Sequence, residues 1–548
     1  MRRMRLLTAA ALLALSATLS VAAQIKPVPE RTDWDAPAAA WWSHVQFLAD
    51  DKLEGRKAGT PGYDKAVAYV EEQFKAIGLK PAGSRGYQQP VQLVPTKVDE
   101  AKSSFTVKGA NSSMTFDFGK EVTLSPHVDG SAPVSAPLVF IGYGLRVPQK
   151  HIDDLAGVDL KGKVVVFYNA PPEKLLGPQR AYARGLDQRW KQLSAAGAVG
   201  VISIASPRVV AGTEKMTPAQ QAAAQPQRAL GPQLLFADPD LDTLKGLRLS
   251  ATLTRAGFDK LLQGTGHTAD EIRKLADAGK PLPTIALPGT VEAQTVVERS
   301  PVLSASNVIG LLEGSDSKLK HEYVVVSAHL DHLGIGKEIN GDKLYNGAMD
   351  NASGVASVIE CAKIMAAQPR PKRSLLFIAL AGEELGELGS QYFATKPTVP
   401  KKDIAADLNM DMYLPLFPLR YIEVQGMGES TLGNDARGAF QANDIEVQYD
   451  KQPDENRFVR SDQVNFVKQG IPALAFKFGW TPDSPEMKTF NDWVATRYHK
   501  PSDDLQQPVD KVAAAQFTVV LAQLMQRVAN GPRPEWYPES SFALASAK

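Results

Sequence analysis

The stretch VVVSAHLDHLG, residues 324–334, opens as an apolar β-branched run and closes on His329, Asp331 and His332. β-Branched residues favour a buried, pleated strand. Burying an unpaired charge costs about several kcal/mol. A core strand therefore ends in three ionisable groups only where its tip is solvated or where something binds.

The same design recurs downstream. YVVVSAH, RSLLFIAL, AADLNMDMY and IPALAF are short apolar runs, and helical patterns such as SGVASVIECAKIMAAQ and ELGSQYFATK lie between several of them. Alternating strand and helix predicts an α/β fold, a mostly parallel sheet with helices on both faces. In such sheets ligands bind beyond the carboxyl ends of the strands. Ionisable residues collect at those ends. His329, Asp331 and His332 follow the first run, Asp350 precedes a helix in GAMDN, and Glu383 and Glu384 follow LLFIAL. Asp411 sits in LNMDMY and His499 in RYHKPSDD.

Each of these residues has an ordinary structural use. Asp350 could cap a helix, the Glu383–Glu384 pair could sit favourably on a helix dipole, and a histidine at a strand end could simply be solvated. Gathered in one place, however, the carboxylates repel unless a cation neutralises them. A mixed imidazole and carboxylate set suits Zn²⁺ or Mn²⁺ rather than metals that want thiolate. One tetrahedral zinc does not need five ligands, whereas two metals sharing a bridging carboxylate do. Such a pair suits hydrolysis.

The remaining chain sets the context. Its 548 residues call for two or three domains, and the 44% apolar content leaves ample core. Lys plus Arg number 61 and Asp plus Glu 60, a balance with no electrostatic footprint for nucleic acid or an anionic membrane. The N-terminus reads as an export leader over residues 1–23: a basic MRRMR, an apolar LLTAAALLALSATLS and a small-residue cleavage pattern in VAAQ. The mature chain is thus expected in the periplasm or secreted, with no membrane span after leader removal, since no second stretch reads as long and apolar enough. The single cysteine, Cys361, cannot form an internal disulfide and reads as a small buried helix residue.

Residues 24–40, rich in Pro and Ala, read as an exposed lead-in. In the helical segment that follows, Tyr63, Val67, Val70, Phe74 and Ile77 form one apolar face, and Gly78 supplies a stop. From residue 126 the texture turns to short β-rich runs, APLVFIGYGL, GKVVVFYNAPP and AVGVISIAS, broken by Gly and Pro. Residues 126–300 read as a separate module inserted between residues 34–125 and 301–535.

SAHLDH, GAMDNASG, AGEELGELGS, LNMDM, RSDQVNF and YHKPSDD, in this order, resemble the motifs of metallopeptidase family M28, zinc aminopeptidases with two co-catalytic zinc ions. HVQFLADDKLEGRKAGTPGYDKAVAYVEEQFKAIGL resembles the family's N-terminal segment, and residues 126–300 resemble the protease-associated domain often inserted in these enzymes. The resemblance implies that His329 and Asp411 hold one zinc, Glu384 and His499 the other, and that Asp350 bridges them. It implies that Glu383 is the general base, taking a proton from water and passing it to the leaving amine. Asp331 would fix the ring of His329, Tyr498 would donate to the oxyanion, Arg460 would contact substrate and Asp462 would support the site. Gln463 stands where the family often has His or Tyr.

The expected activity is removal of N-terminal residues from peptides with a free N-terminus. A single-zinc glutaminyl cyclase, a dipeptide carboxypeptidase and a non-catalytic binding protein of the same fold are the alternatives. HEYVV at His321 lacks the second His of a thermolysin-like HExxH, and no G-x-S-x-G elbow is present. The aromatic-rich FGWTPDSPEMKTFNDW, ahead of His499, is the candidate wall of a substrate pocket.

Overall fold

The computed structural model describes residues 33–109, 112–130, 132–170, 175, 177–205 and 232–543. The leader expected over residues 1–23 lies outside the described residues.

Among the described residues, eleven strands form one sheet and eight a second. At the centre of the larger sheet, Ser374–Leu380, Tyr323–His329, Ile404–Asn409 and Ala473–Phe478 lie side by side and parallel. These are the four apolar runs of the sequence. Leu303–Leu312 and Tyr421–Gln425 flank them antiparallel, so the sheet is mixed, with a parallel centre. The physical reason is two-sided burial: continuous apolar runs belong to strands covered on both faces, and the flanking strands carry more polar residues.

Both faces are covered. Val324, Val326, Leu375, Phe377 and Ala379 point into a core shared with Trp41, Val355, Val358 and Phe517. The alternate residues Val325, Leu376, Ile378 and Leu380 pack on Phe393, Phe466 and Val467. This is the period-two alternation of a strand. Helix Ser353–Ala366 packs against both Asp35–Leu48 and Lys511–Asn530. The last of these is long and apolar enough to cross a membrane by length and composition, which the sequence reading did not anticipate. Here it is a mostly buried core helix, with Phe517, Leu521, Leu524 and Val528 inward. Asp35–Leu48 begins within the expected lead-in because Trp41, Val45 and Leu48 have a core to enter. Cys361 is buried, its thiol 3.3 Å from the carbonyl of Thr518.

Helix Pro61–Ile77 follows its apolar stripe. Tyr63, Val67, Val70 and Phe74 are buried, the Thr60 side chain accepts the Tyr63 amide, and Gly78 closes the helix at φ 86°.

The second sheet runs from Ser104–Lys108 to Thr284–Gln294. Ser104–Lys108, Ser113–Thr115 and Val122–Leu124 already belong to it, ahead of the boundary expected at residue 126. They are short, and only Phe105 and Val107 of the first are buried, so no apolar run announces them. Gln233–Phe236 leaves this region to pair with Gln88–Val98 of the larger sheet. Helix Gly177–Arg184 packs on residues 453–459, with Arg180 and Asp454 paired at 2.5 Å.

Candidate metal centre

The carboxyl ends of the parallel strands meet at one place. His329 ends the first strand, and Asp331 and His332 follow it. Asp350 lies in the turn before helix Ser353–Ala366 and does not cap it; Ala352 holds the cap position. Its carboxylate instead reaches two imidazoles: Oδ1 stands 3.2 Å from His329 Nε2, and Oδ2 stands 3.3 Å from His499 Nε2. His329 Nε2 is also 3.3 Å from Asp411 Oδ1, and His499 Nε2 is 3.2 Å from Glu384 Oε2. Each histidine therefore has its own carboxylate, and Asp350 lies between the two pairs.

Ligand atoms of His329, Glu383 and Asp411 all lie within 4.8 Å of one another, as do those of His332, Asp350 and Glu384. His332, one of the ionisable residues at the strand ends, has no role in the ligand set that the resemblance implies. It is fully buried, with Nδ1 2.7 Å from Glu384 Oε1, and its Nε2 makes no hydrogen bond. An orphaned ring nitrogen at such depth calls for a partner. A hard or borderline divalent cation fits that need and this oxygen and nitrogen donor set.

Electrostatics divide the carboxylates. Burial would raise Asp350, but hydrogen bonding to His329 and His499 and the charge of His332 hold it well below the usual range. Asp411 and Glu384 are likewise lowered against burial, by His329 for the first and by His332 and His499 for the second. Glu383 goes the other way. Burial raises it, His329 only partly offsets that, and Asp411, Asp462 and Glu384 raise it further. Burial would lower His499, but Asp350 and Glu384 push it up to about 10.

The expected supporting residues fall differently. Asp331 holds the His329 ring through its backbone more closely than through its carboxylate, whose Oδ1 is 3.9 Å from His329 Nδ1. His329 Nδ1 is 3.1 Å from the Asp331 backbone carbonyl, and the carboxylate accepts the amides of Glu383 and Glu384 at 3.1 and 3.3 Å. Tyr498 stacks on His499 with ring centroids 3.9 Å apart. Arg460 is exposed and donates to the Glu455 carbonyl at 3.3 Å. Asp462 is fully buried, and desolvation pushes it up to about 7. Gln463 faces inward, accepting from Asn409 at 2.7 Å and donating to the Phe458 carbonyl at 2.9 Å. The aromatic stretch before His499 turns into the core: Phe478, Trp480, Phe490 and Trp493 are buried there. It is not a pocket wall through those rings.

Residues 307–525 match the family model described as Peptidase family M28. They form an M28 peptidase domain. All five expected metal ligands and Glu383 lie within this M28 domain. Over 226 residues the chain is 29% identical to a probable zinc metalloprotease of Pyrenophora teres f. teres, covering 37% of this chain and 45% of that protein. Over 230 residues it is 26% identical to Aminopeptidase YwaD of Bacillus subtilis, covering 40% and 45%. The chain thus spans under half the length of these relatives. It aligns with the solved aminopeptidase from Aneurinibacillus sp. strain AM-1 at 20% identity and a TM-score of 0.45, over 91% of this chain and 96% of that one.

Three residues that support the M28 domain's site were not foreseen. Arg56, outside the matched span and fully buried, donates to the carbonyls of Leu330, Leu48, Gly347, Asn346 and Asp350. Burial lowers its pKa to about 10, so it stays charged. Asp503 accepts the amides of Met349 and Asp350 at 2.9 and 3.0 Å. Lys477 donates to the carbonyls of Asp411 and Met412. The only sequence signals were an Arg beside a glycine in LEGRKAG, the first Asp of YHKPSDD, and a Lys in an otherwise apolar strand.

Proposed function

We propose that this protein is an exported dizinc aminopeptidase that hydrolyses N-terminal residues from peptides with a free N-terminus. The observation that carries this reading is the Asp350 carboxylate, one oxygen toward each of two histidines that each have a further carboxylate. That is the layout of a shared ligand between two cations. His329 and Asp411 would hold one zinc, His499 and Glu384 the other, and Asp350 both. Zinc, when bound, supplies a Lewis acid that makes water acidic near neutral pH and polarises a carbonyl.

The chain's own groups do the rest. Glu383 is the carboxyl of the cluster left over once each histidine has its partner. Its buried, acid-rich surroundings raise the proton affinity of its carboxylate, which suits a base that takes a proton from water and returns it to the leaving amine. Asp331 orients this group through the Glu383 and Glu384 amides. Tyr498, held against His499, is the candidate donor to the oxyanion, and the exposed Arg460 would contact substrate. Residues 1–23 would direct export, and the second sheet would be a protease-associated module.

The test pairs elemental analysis of protein purified without chelator with chromophore release from aminoacyl anilides. About two zinc per chain, activity lost on chelation, and a Glu383→Ala variant that keeps metal but loses turnover are the expected results. One zinc with no anilide cleavage would replace this reading with the glutaminyl cyclase. No metal and no activity would replace it with a binding protein.

A further inference from the structure

Residues of the second sheet region, with Ser541 of the C-terminal segment, line a cavity of about 400 Å³, and none of its described wall residues belongs to the metal centre. This is the size of a small-molecule site. Leu145, Val147 and Leu175 give it apolar walls, and helices Gly177–Arg184 and Leu186–Ala195 contribute Gln179, Tyr182 and Arg189.

Arg189 is only 2% exposed. Its guanidinium lies 4.3 Å over the Phe167 ring, and Nη1 donates to Asn169 Oδ1 at 2.8 Å. Those two contacts fix the plane and use one end of the group. Nε and Nη2 have no partner. These two nitrogens share one edge of the guanidinium and form the fork that grips a carboxylate through two parallel hydrogen bonds.

None of the described residues lining the cavity supplies the anion. No Asp or Glu is among the described residues lining the cavity, whereas Arg146 and Lys191 are. Arg146 already has Asp153 at 3.3 Å. Asp154 is the acid that bears on Arg189, but its Oδ2 accepts the amides of Tyr143 and Leu145. Burial and the nearby Arg184 lower Arg189 to about 9, so it is still a cation at neutral pH. A buried cation with an idle bidentate edge is costly unless a ligand completes it.

We propose that this cavity binds a small apolar carboxylate, its two oxygens on the Arg189 Nε and Nη2 edge and its hydrocarbon against Leu145, Val147 and Leu175. The apolar walls favour this over a phosphate, which would leave them uncovered.

Calorimetric titration of the full-length protein tests it with 4-methylpentanoate, 3-methylbutylamine and inorganic phosphate. The carboxylate is expected to bind, and the amine and phosphate are not. Arg189→Leu and Arg189→Lys should each weaken carboxylate binding at least tenfold, because lysine keeps the charge and loses the fork. Ala183→Phe, which fills the cavity and leaves Arg189 untouched, should do the same if the Arg189 variants fail to fold. Carboxylate taken up at the metal centre would survive all three substitutions. Such survival, equal binding of the amine, or no carboxylate binding would each overturn the proposal.

Discussion

Asp331 Oδ1 accepts the backbone N–H of Glu383 at 3.1 Å. Its other oxygen accepts the next amide, so one buried carboxylate ties the end of strand Tyr323–His329 to the turn that follows Ser374–Leu380. Two adjacent strands thereby deliver their ionisable side chains to one point in fixed orientation. Asp331→Asn keeps the shape but turns an amide N–H₂ toward a backbone N–H. Zinc affinity should fall about 10–100-fold, measured by competition with a chromophoric chelator. Unchanged affinity would show that the turn holds itself.

Arg56 should matter for folding more than for turnover. Arg56→Met leaves several buried carbonyls without donors, each costing about 1–3 kcal/mol if nothing replaces it. The expected loss is at least about 3 kcal/mol, read as a lower denaturant midpoint of the zinc-loaded protein. The bend that places Arg56 depends on Gly55, at φ 68°, where an added Cβ would sit 2.3 Å from the Tyr345 carbonyl.

Gly177 is where the second sheet's helix touches the half of the chain that carries the larger sheet. A Cβ there would lie 2.0 Å from the Pro453 carbonyl. Gly177→Val should part the two surfaces at a cost of about 1–3 kcal/mol. Faster proteolytic separation of the two halves, with zinc content unchanged, is the expected outcome of a timed digest.

Asp242 ties a loop of the second sheet region to His127 at 2.6 Å. Burial would raise its carboxyl, but the His127 hydrogen bond and the Leu244 amide outweigh that and lower it below 3.8. A lowered pKa in the folded state contributes stability above the unfolded value, and that stability is lost as pH falls through the folded value. Asp242→Asn should therefore cost about 0.5–1 kcal/mol at pH 7. The gap from the parent protein should close once pH drops below the depressed Asp242 pKa, which paired urea titrations at neutral and acidic pH would read.

The sequence by itself determined the parallel centre of the larger sheet and which ionisable residues stand at the ends of its strands. Four continuous apolar runs became the four parallel strands, because only two-sided burial tolerates such runs. The ionisable residues at their tips converged, because parallel strands end on one edge. Only the tertiary structure decided which atoms meet. The carboxylate of Asp331 serves the Glu383 and Glu384 amides, His332 joins Glu384, and Arg56, Asp503 and Lys477 brace the site from distant segments. The aromatics before His499 turned inward for the same reason. Local pattern encodes period and burial, whereas hydrogen-bond partners far apart in the chain are chosen by packing, which brings them together only once the sheet and its helices have closed.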